Sequence, residues 1–440
     1  MQRTSAPRCR GKFAAGATEL NPNTIRVLDR VFGVPLCALL TLFCRLTQGR
    51  RSRRRASPRK LLFIKLIEQG ATVLAYPAVQ AAAERVGREN VYFWVFKQNR
   101  PILDAMAMVP PENVFEIDAS GAVVFVRDVM RCLRGIRRVR IDTTVDMEFF
   151  SRASAILAFL SGAQVRAGLH RFTSETVYRG DLLTHKVCYN PYLHTAELFD
   201  ALVGAAFAEP PPDGIYKAPR RSALPIPPPF EPSPALMARV HSLLAEVSGG
   251  IIGRPIVLLN PNASDLLPLR RWPEERFVEL AQRLADAYPE GTILLTGSPA
   301  EEEAARAMTK RIARPRVFSI AGRTSLEELL ALYCAADVLV TNDSGPGHFA
   351  ALTPIRSVVL FGPETPLLYG SRSPRAIALS ANLVCSPCVN VYNHRFSACR
   401  DNRCMQAITV DRVFQAVEAA LADRVGVKDT AQSAGTAAGC

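Results

Sequence analysis

Ten prolines fall within residues 209–234, EPPPDGIYKAPRRSALPIPPPFEPSP. Each removes an amide hydrogen and fixes φ, so no helix interior or central strand survives there. The segment reads as a connection between two bodies. The same alternation runs on both sides of it. Upstream, KLLFIKLI (60–67), VYFWVF (91–96), NVFEI (113–117), RRVRID (137–142) and QVRAGL (164–169) read as strands, with helical stretches at 72–86 and 149–160. Downstream, the strands are expected at 255–260, 291–297, 316–322, 337–343 and 356–362. Amphipathic helices are expected at 276–288 and 326–336, with a closing helix at 411–425. Strands alternating with helices imply a parallel sheet covered on both faces, here twice over. The fold class is therefore α/β, with two Rossmann-like, doubly wound domains facing across a cleft at the carboxyl ends of their strands. The expected boundaries are 1–24 disordered, 25–58 apolar and basic, 59–208 the first domain, 209–236 the linker, 237–425 the second domain, and 426–440 a disordered tail.

The net charge of +14 suggests nucleic-acid binding until it is located. Of 54 basic and 40 acidic residues, 14 and 2 lie in residues 1–60, which leaves 40 and 38 for the other 380 residues. The folded body is nearly neutral, which argues against nucleic acid as a partner. The excess belongs to the N-terminus. There, VFGVPLCALLTLFC (31–44) is free of charge and is soon followed by Arg50, Arg51, Arg53, Arg54 and Arg55. Fourteen helical residues span ~21 Å, against a hydrocarbon core of ~30 Å. Pro35 is expected to weaken the middle of the run. An apolar helix beside a polybasic patch is a two-signal recipe for an anionic membrane surface. A short tilted span, a helix packed on the body and a signal peptide are the competing readings.

Chemistry concentrates in three strand-to-helix turns of the second domain. In VLVTNDSGPGHFAAL (338–352), Asn342, Asp343, Ser344, Gly345 and Gly347 form a tight loop before a helix expected near His348. Glycines admit a ligand to the backbone, and a helix start favours phosphate. In LLNPNASDLLPLRRWPEERF (258–277), Asn260, Asn262 and Ser264 close a strand, and Arg270 and Arg271 precede Trp272-Pro273. Arginine suits bidentate phosphate recognition. In LLTGSPAEEEAA (294–305), Gly297 opens a turn whose three glutamates already complement the helix dipole.

Together these residues resemble glycosyltransferase family 9, the heptosyltransferases of lipopolysaccharide core synthesis. The likeness lies in the segments 260–277, 296–303 and 324–348. It is dense over 255–410 and thin over 60–200. The resemblance implies the GT-B fold, inversion at the anomeric carbon and no catalytic metal. It implies a nucleotide-sugar donor, ADP-heptose, and a membrane glycolipid or lipopolysaccharide-type acceptor at the cytoplasmic face of the inner membrane. The first domain then takes the acceptor and the second the donor. Carried over, Arg270 contacts donor phosphates with Arg271 beside it, and Asp343, Ser344, Gly345 and His348 lie on the donor loop. The first-domain motif departs from the family. KLIEQGATVLAYP (65–77) keeps Lys65 and Gly70 on the acceptor side but has Ala71 where the family's aspartate base is expected. Glu68 is the replacement base read here, with Asp142 and Asp146 as alternatives. Loss of the base also leaves a second reading: a non-catalytic nucleotide-sugar-binding or membrane-scaffold protein.

Cys385, Cys388, Cys399 and Cys404 follow the spacing C-x2-C-x10-C-x4-C. Four thiolates at such spacing suit a structural zinc or iron ion. Free thiols and disulfides are the alternatives.

Overall fold

The computed structural model describes residues 29–48, 57–170, 178–209, 211, 214–221, 223–263, 267–392 and 396–435. Among these, twelve strands form two parallel sheets of six. The first contains β1 (Leu61–Ile64), β2 (Val91–Phe96), β3 (Val114–Ile117), β4 (Thr143–Asp146), β5 (Val165–His170) and β6 (His185–Cys188), in the order β3-β2-β1-β4-β5-β6. The second contains β7 (Ile256–Asn260), β8 (Thr292–Leu295), β9 (Val317–Ser319), β10 (Val338–Asn342), β11 (Arg356–Phe361) and β12 (Ala376–Ser380), in the order β12-β11-β10-β7-β8-β9. Counted within each half, both orders are 3-2-1-4-5-6, the doubly wound arrangement. The strand order reverses between β1 and β4, and again between β7 and β10. Ligands bind outside the carboxyl ends of strands at such points.

Side chains alternate between two covered faces, which explains why central runs such as Leu61–Ile64 are apolar throughout. Phe63 pairs with Phe93 and Val145 in register, and all three face a core shared with the Thr195–Phe207 helix. Leu62, Ile64, Tyr92 and Trp94 point the other way, against the Ala122–Arg138 helix. In the second half, Val257, Leu259, Val340 and Leu360 pack on Trp272, Phe277 and Val417. Leu258 and Leu339 lie on the opposite face, in the buried cluster that also holds Phe63 and Phe93. The two halves thus share packing.

Four expectations are corrected. The fourth strand is not RRVRID (137–142): the Ala122–Arg138 helix runs into that segment and the strand begins at Thr143. Apolar residues on one helical face outweigh the short alternating run, and the β-branched Thr143-Thr144-Val145 takes the sheet position. The helix expected at 72–86 is two, Gln69–Leu74 and Tyr76–Val86, because Pro77 opens a new first turn. The closing helix runs Val410–Gly435, past 425 and into the expected tail, in keeping with its alanine content. The apolar N-terminal run forms the Val34–Gln48 helix, and Pro35 falls in its first turn, where no amide partner is lost. Residues 1–24 and the arginines at 50–55 lie outside the described residues.

The Val34–Gln48 helix lies on the first domain. Cys37, Thr41 and Cys44 are buried, while Leu39, Leu42, Phe43 and Leu46 are more than half exposed. Thr41 Oγ1 accepts the Asp181 amide at 3.0 Å, and Arg45 pairs with Asp181 at 2.5 Å. Gly180, at φ +63°, brings this loop so close that a Cβ there would meet Thr41 Oγ1. Among the described residues, no helix is long and apolar enough to cross a membrane.

Candidate active site

The loop after β1 is built around a buried lysine. Lys65 is fully buried, and its Nζ lies 3.1 Å from both Glu68 Oε2 and Glu148 Oε2. Glu148, just past β4, also accepts the Leu66 and Ile67 amides through Oε1, at 2.7 and 3.2 Å. A buried cation needs such partners, and removing one is costly. Glu68 sits at φ +70°, ψ +81°, a region few non-glycine residues occupy. Its side chain makes no cap for the Gln69–Leu74 helix; the carboxylate reaches Lys65 instead. Ala71 follows within this helix, next to Gly70. Of the alternative bases, Asp142 lies before the amino end of β4, where it accepts the Arg59 and Lys60 amides. That is the wrong end of the sheet. Asp146 ends β4 but is fully buried, accepting the Glu148 amide at 3.0 Å and the Ser154 hydroxyl at 2.8 Å. Burial pushes its carboxyl up to about 7.

On the opposite sheet, Arg270 lies between two carboxylates. Its guanidinium hydrogen-bonds Glu364, and its Nε faces Asp343 Oδ2 at 3.7 Å. That separation is too long for a hydrogen bond. Both of those atoms are buried without a hydrogen-bond partner among the described residues, as are Asn262 Nδ2 and His348 Nδ1. Buried polar atoms left open in this way mark a place for a ligand. Asp343 and Glu364 face the same guanidinium, and burial raises both carboxyls. Burial, reinforced by Asp343 and opposed by Arg270, pushes Glu364 up to about 8.

Several of the residues expected at the donor also hold the surrounding loops together. Asn342 Oδ1 accepts the Trp272 amide at 3.0 Å, while its Nδ2 donates to the Pro261 and Asn262 carbonyls. Asn260 ties Thr296 to the Asn262 amide. Arg271 donates twice to the Ala263 carbonyl, at 2.8 and 3.2 Å, and so pins the loop. Gly297 leaves room for Asn262, whose Nδ2 would lie 2.9 Å from a Cβ there. Ser344 Oγ donates to the Asn342 carbonyl at 3.2 Å. Ser264 lies outside the described residues. The helix after the loop starts at Gly345, not near His348, and the Gly345–Phe349 turn is five residues long. Its dipole is correspondingly small, so Arg270 is the main positive group. Gly347 packs on Val359, where a Cβ would sit 3.1 Å from a methyl.

His348 is where the two halves meet: a Cβ on Gly70 would lie 2.5 Å from its Cδ2. Burial, with His194 and Arg270 nearby, lowers its imidazole to about 4, so it is neutral at pH 7.

Cys385, Cys388, Cys399 and Cys404 are unbridged. Cys404 is the buried one; burial and then the other three thiols raise its pKa, so the four are gathered within electrostatic reach. Among the described residues, however, no group of three or more histidine, cysteine or acidic side chains stands in position to hold a metal ion. The segment braces the site instead. Asn402 Nδ2 donates to the Leu269 and Arg271 carbonyls on either side of Arg270. The Cys388 amide and Ser386 hydroxyl hold the Pro363 and Gly362 carbonyls just before Glu364.

Sequence reasoning missed Glu364 and Glu148. Glu364 stands three residues past β11, beside a reversal-point strand, and that placement was the available signal.

A model of the family described as glycosyltransferase family 9 (heptosyltransferase) matches residues 129–395. Lipopolysaccharide heptosyltransferase 2 of Escherichia coli is 36% identical over 117 residues, 26% of this chain and 32% of that protein. Lipooligosaccharide heptosyltransferase 2 of Campylobacter jejuni is 25% identical over 170 residues, 37% of this chain and 50% of that one. The chain thus spans about a third to a half of these relatives' length. Among solved structures, E. coli ADP-heptose lps heptosyltransferase II superposes with a TM-score of 0.61 at 21% identity, covering 83% of this chain and 99% of that one. A family 9 glycosyltransferase from Veillonella parvula gives a TM-score of 0.61 at 18% identity, covering 83% and 97%. These likenesses identify the two facing sheets as the GT-B fold, and the family match covers more than half of the residues: the chain belongs to glycosyltransferase family 9.

Proposed function

We propose that the protein is an inverting glycosyltransferase that moves heptose from ADP-heptose to a membrane glycolipid of the lipopolysaccharide type. One observation carries the reading: Arg270, Asp343 and His348, at the carboxyl end of one sheet, stand opposite the Lys65–Glu68–Gly70 loop of the other. The relatives' names supply the sugar. In this reading Glu68 takes the proton of the acceptor hydroxyl. The freed oxygen attacks the anomeric carbon as the bond to the diphosphate breaks, and the departing electron pair stays on the diphosphate. Arg270 neutralises that charge without a catalytic metal. A positioned base is worth about 10²–10⁴ in rate. Glu68→Gln should abolish transfer and leave ADP binding intact; full activity in that variant sinks the assignment. A thermal-shift series with ADP, UDP and GDP forms tests the donor, and a shift with UDP forms alone discards ADP-heptose.

Ala71 favours the second reading, a binding or scaffold protein. It expects a shift with donor but no transfer to any acceptor.

The exposed face of the Val34–Gln48 helix, with the neighbouring arginines, supports residence on an anionic surface at the cytoplasmic face of the inner membrane. Leu39→Ser with Leu42→Ser should release the protein from phosphatidylglycerol vesicles; unchanged binding refutes this part. Four thiols are fitting donors for one structural zinc or iron ion, which would have to draw them together. Metal analysis of the purified protein, with and without Cys385→Ser and Cys388→Ser, decides it: no bound metal ends that proposal.

A further inference from the structure

A cavity that His348 helps to line has walls that do not include Glu68. It encloses about 550 Å³, within the range of small-molecule sites. Its walls come from three places: Val73 and Leu74 of the first domain, the linker prolines, and Ala351 with Cys334 of the second domain. The linker contributes Pro225, Pro227, Pro229 and Pro232. Proline has no amide hydrogen, so these residues offer rings and carbonyls but no backbone donor. An occupant meets an apolar surface there.

The lining is not wholly apolar. Arg372 and Arg375 belong to it, with Ser371 and Ser373 beside them in sequence. Arg375 is tethered through its terminal nitrogen to the Thr353 carbonyl at 3.1 Å. Both arginines keep a buried Nε with no hydrogen-bond partner among the described residues. The one acid on the wall, Glu231, is solvent-exposed, and His348 is neutral at pH 7. The cavity therefore joins a largely apolar lining to two cationic side chains.

We infer that this hinge cavity binds a single-chain amphiphile with an anionic phosphate or carboxylate head, its chain along the prolines and its head on Arg372 and Arg375. This does not rest on the transferase reading, because the lining alone carries it, although the cavity shares His348 with the donor loop. Since its walls belong to both domains and the linker, an occupant would fix their relative position, and it would touch the histidine that meets Gly70.

Cys334 provides the readout. Its thiol lines the cavity, whereas Cys188 is an exposed thiol on β6 that does not. In the full-length protein, alkylation by N-ethylmaleimide is followed at both residues by peptide mass spectrometry. Dodecyl phosphate, kept below its micelle concentration and at about ten times its dissociation constant, should slow Cys334 about tenfold and leave Cys188 unchanged. Inorganic phosphate and dodecyl maltoside at the same concentration should leave Cys334 unprotected. Arg372→Gln with Arg375→Gln should remove the protection, and so should Ala351→Trp, which fills the cavity with both arginines in place. Absence of protection overturns the inference. Equal protection by dodecyl maltoside overturns the anionic head, and protection that survives the double arginine variant does the same. The three-ligand comparison uses the unaltered protein, so it stands even where a variant fails to fold.

Discussion

The imidazole of His348 occupies the space that a methyl group on Gly70 would need. The first residue belongs to the second domain and the second to the first domain, and the gap between them is 2.5 Å measured from the position of the absent Cβ. Gly70→Ala should therefore push the domains apart or displace a buried ring. Overpacking of this kind costs about 1–3 kcal/mol. The check is a denaturant midpoint: an unchanged midpoint would mean that the two loops part freely.

Glu364 sets a pH dependence. Its carboxyl is raised to about 8 in the folded protein, against 4.5 as its ordinary value. The folded state therefore holds a proton that the unfolded state releases, and stability falls as pH rises through that window. Below about 4.5 both states are protonated and this group contributes no slope. Glu364→Gln should flatten the decline between pH 5 and pH 8, read from urea midpoints at several pH values. Above about pH 8, where Glu364 is ionised, the variant should also tighten ADP binding, because one anion competing for Arg270 is gone. Weaker binding would mean that Glu364 orients Arg270 rather than competing for it.

Glu148 and Glu68 share Lys65 but should behave differently. Glu148 is almost fully buried and also holds two amides. Glu148→Ala should cost about 3–5 kcal/mol, as expected when a buried ion pair loses one member. Glu68 is partly exposed, and Glu68→Gln should cost about 1 kcal/mol or less. Thermal melts of the two variants separate the roles; equal losses would make Glu68 a structural residue first.

Asn342 should be intolerant of change although it touches no reacting group. Asn342→Ala removes three hydrogen bonds to Trp272, Pro261 and Asn262. Each is worth about 1 kcal/mol net, and more where a buried partner is left open. ADP affinity should drop with stability, since these bonds shape the loop that carries Arg270. Normal affinity in a destabilised protein would uncouple the two.

Periodicity made the sheets legible. Wholly apolar runs such as LLFI and IVLLN could only be strands buried on both faces, and their strand-to-helix turns marked the reversal points. Asp343 was legible for the same reason, since it directly follows such a run, and Gly70 and Arg270 lie in the turns that follow theirs. The edge strands β6 and β12 were not, being partly polar segments whose pairing depends on neighbours distant in sequence. Nor could the loop-bracing bonds be read. Asn342 and Arg271 look like ligand contacts in a motif, and only three-dimensional pairing shows that their side chains also hold backbone groups. Glu364 was hidden because its meaning depends on Arg270, 94 positions away.

The two sheets share one strand order, so each half offers its own pair of loops at its own reversal point. The frame and the chemistry are separable. The frame rests on strand pairing and on cores behind the loops, while the reacting groups hang from four short turns. Replacement at a turn leaves the frame intact and alters what it does. Ala71 would be such a replacement if the carboxylate that the resemblance implies belongs at its position: a methyl group, carried in a helix that still packs. A lineage built this way can lose one reagent and recruit another from the same loop without unfolding in between.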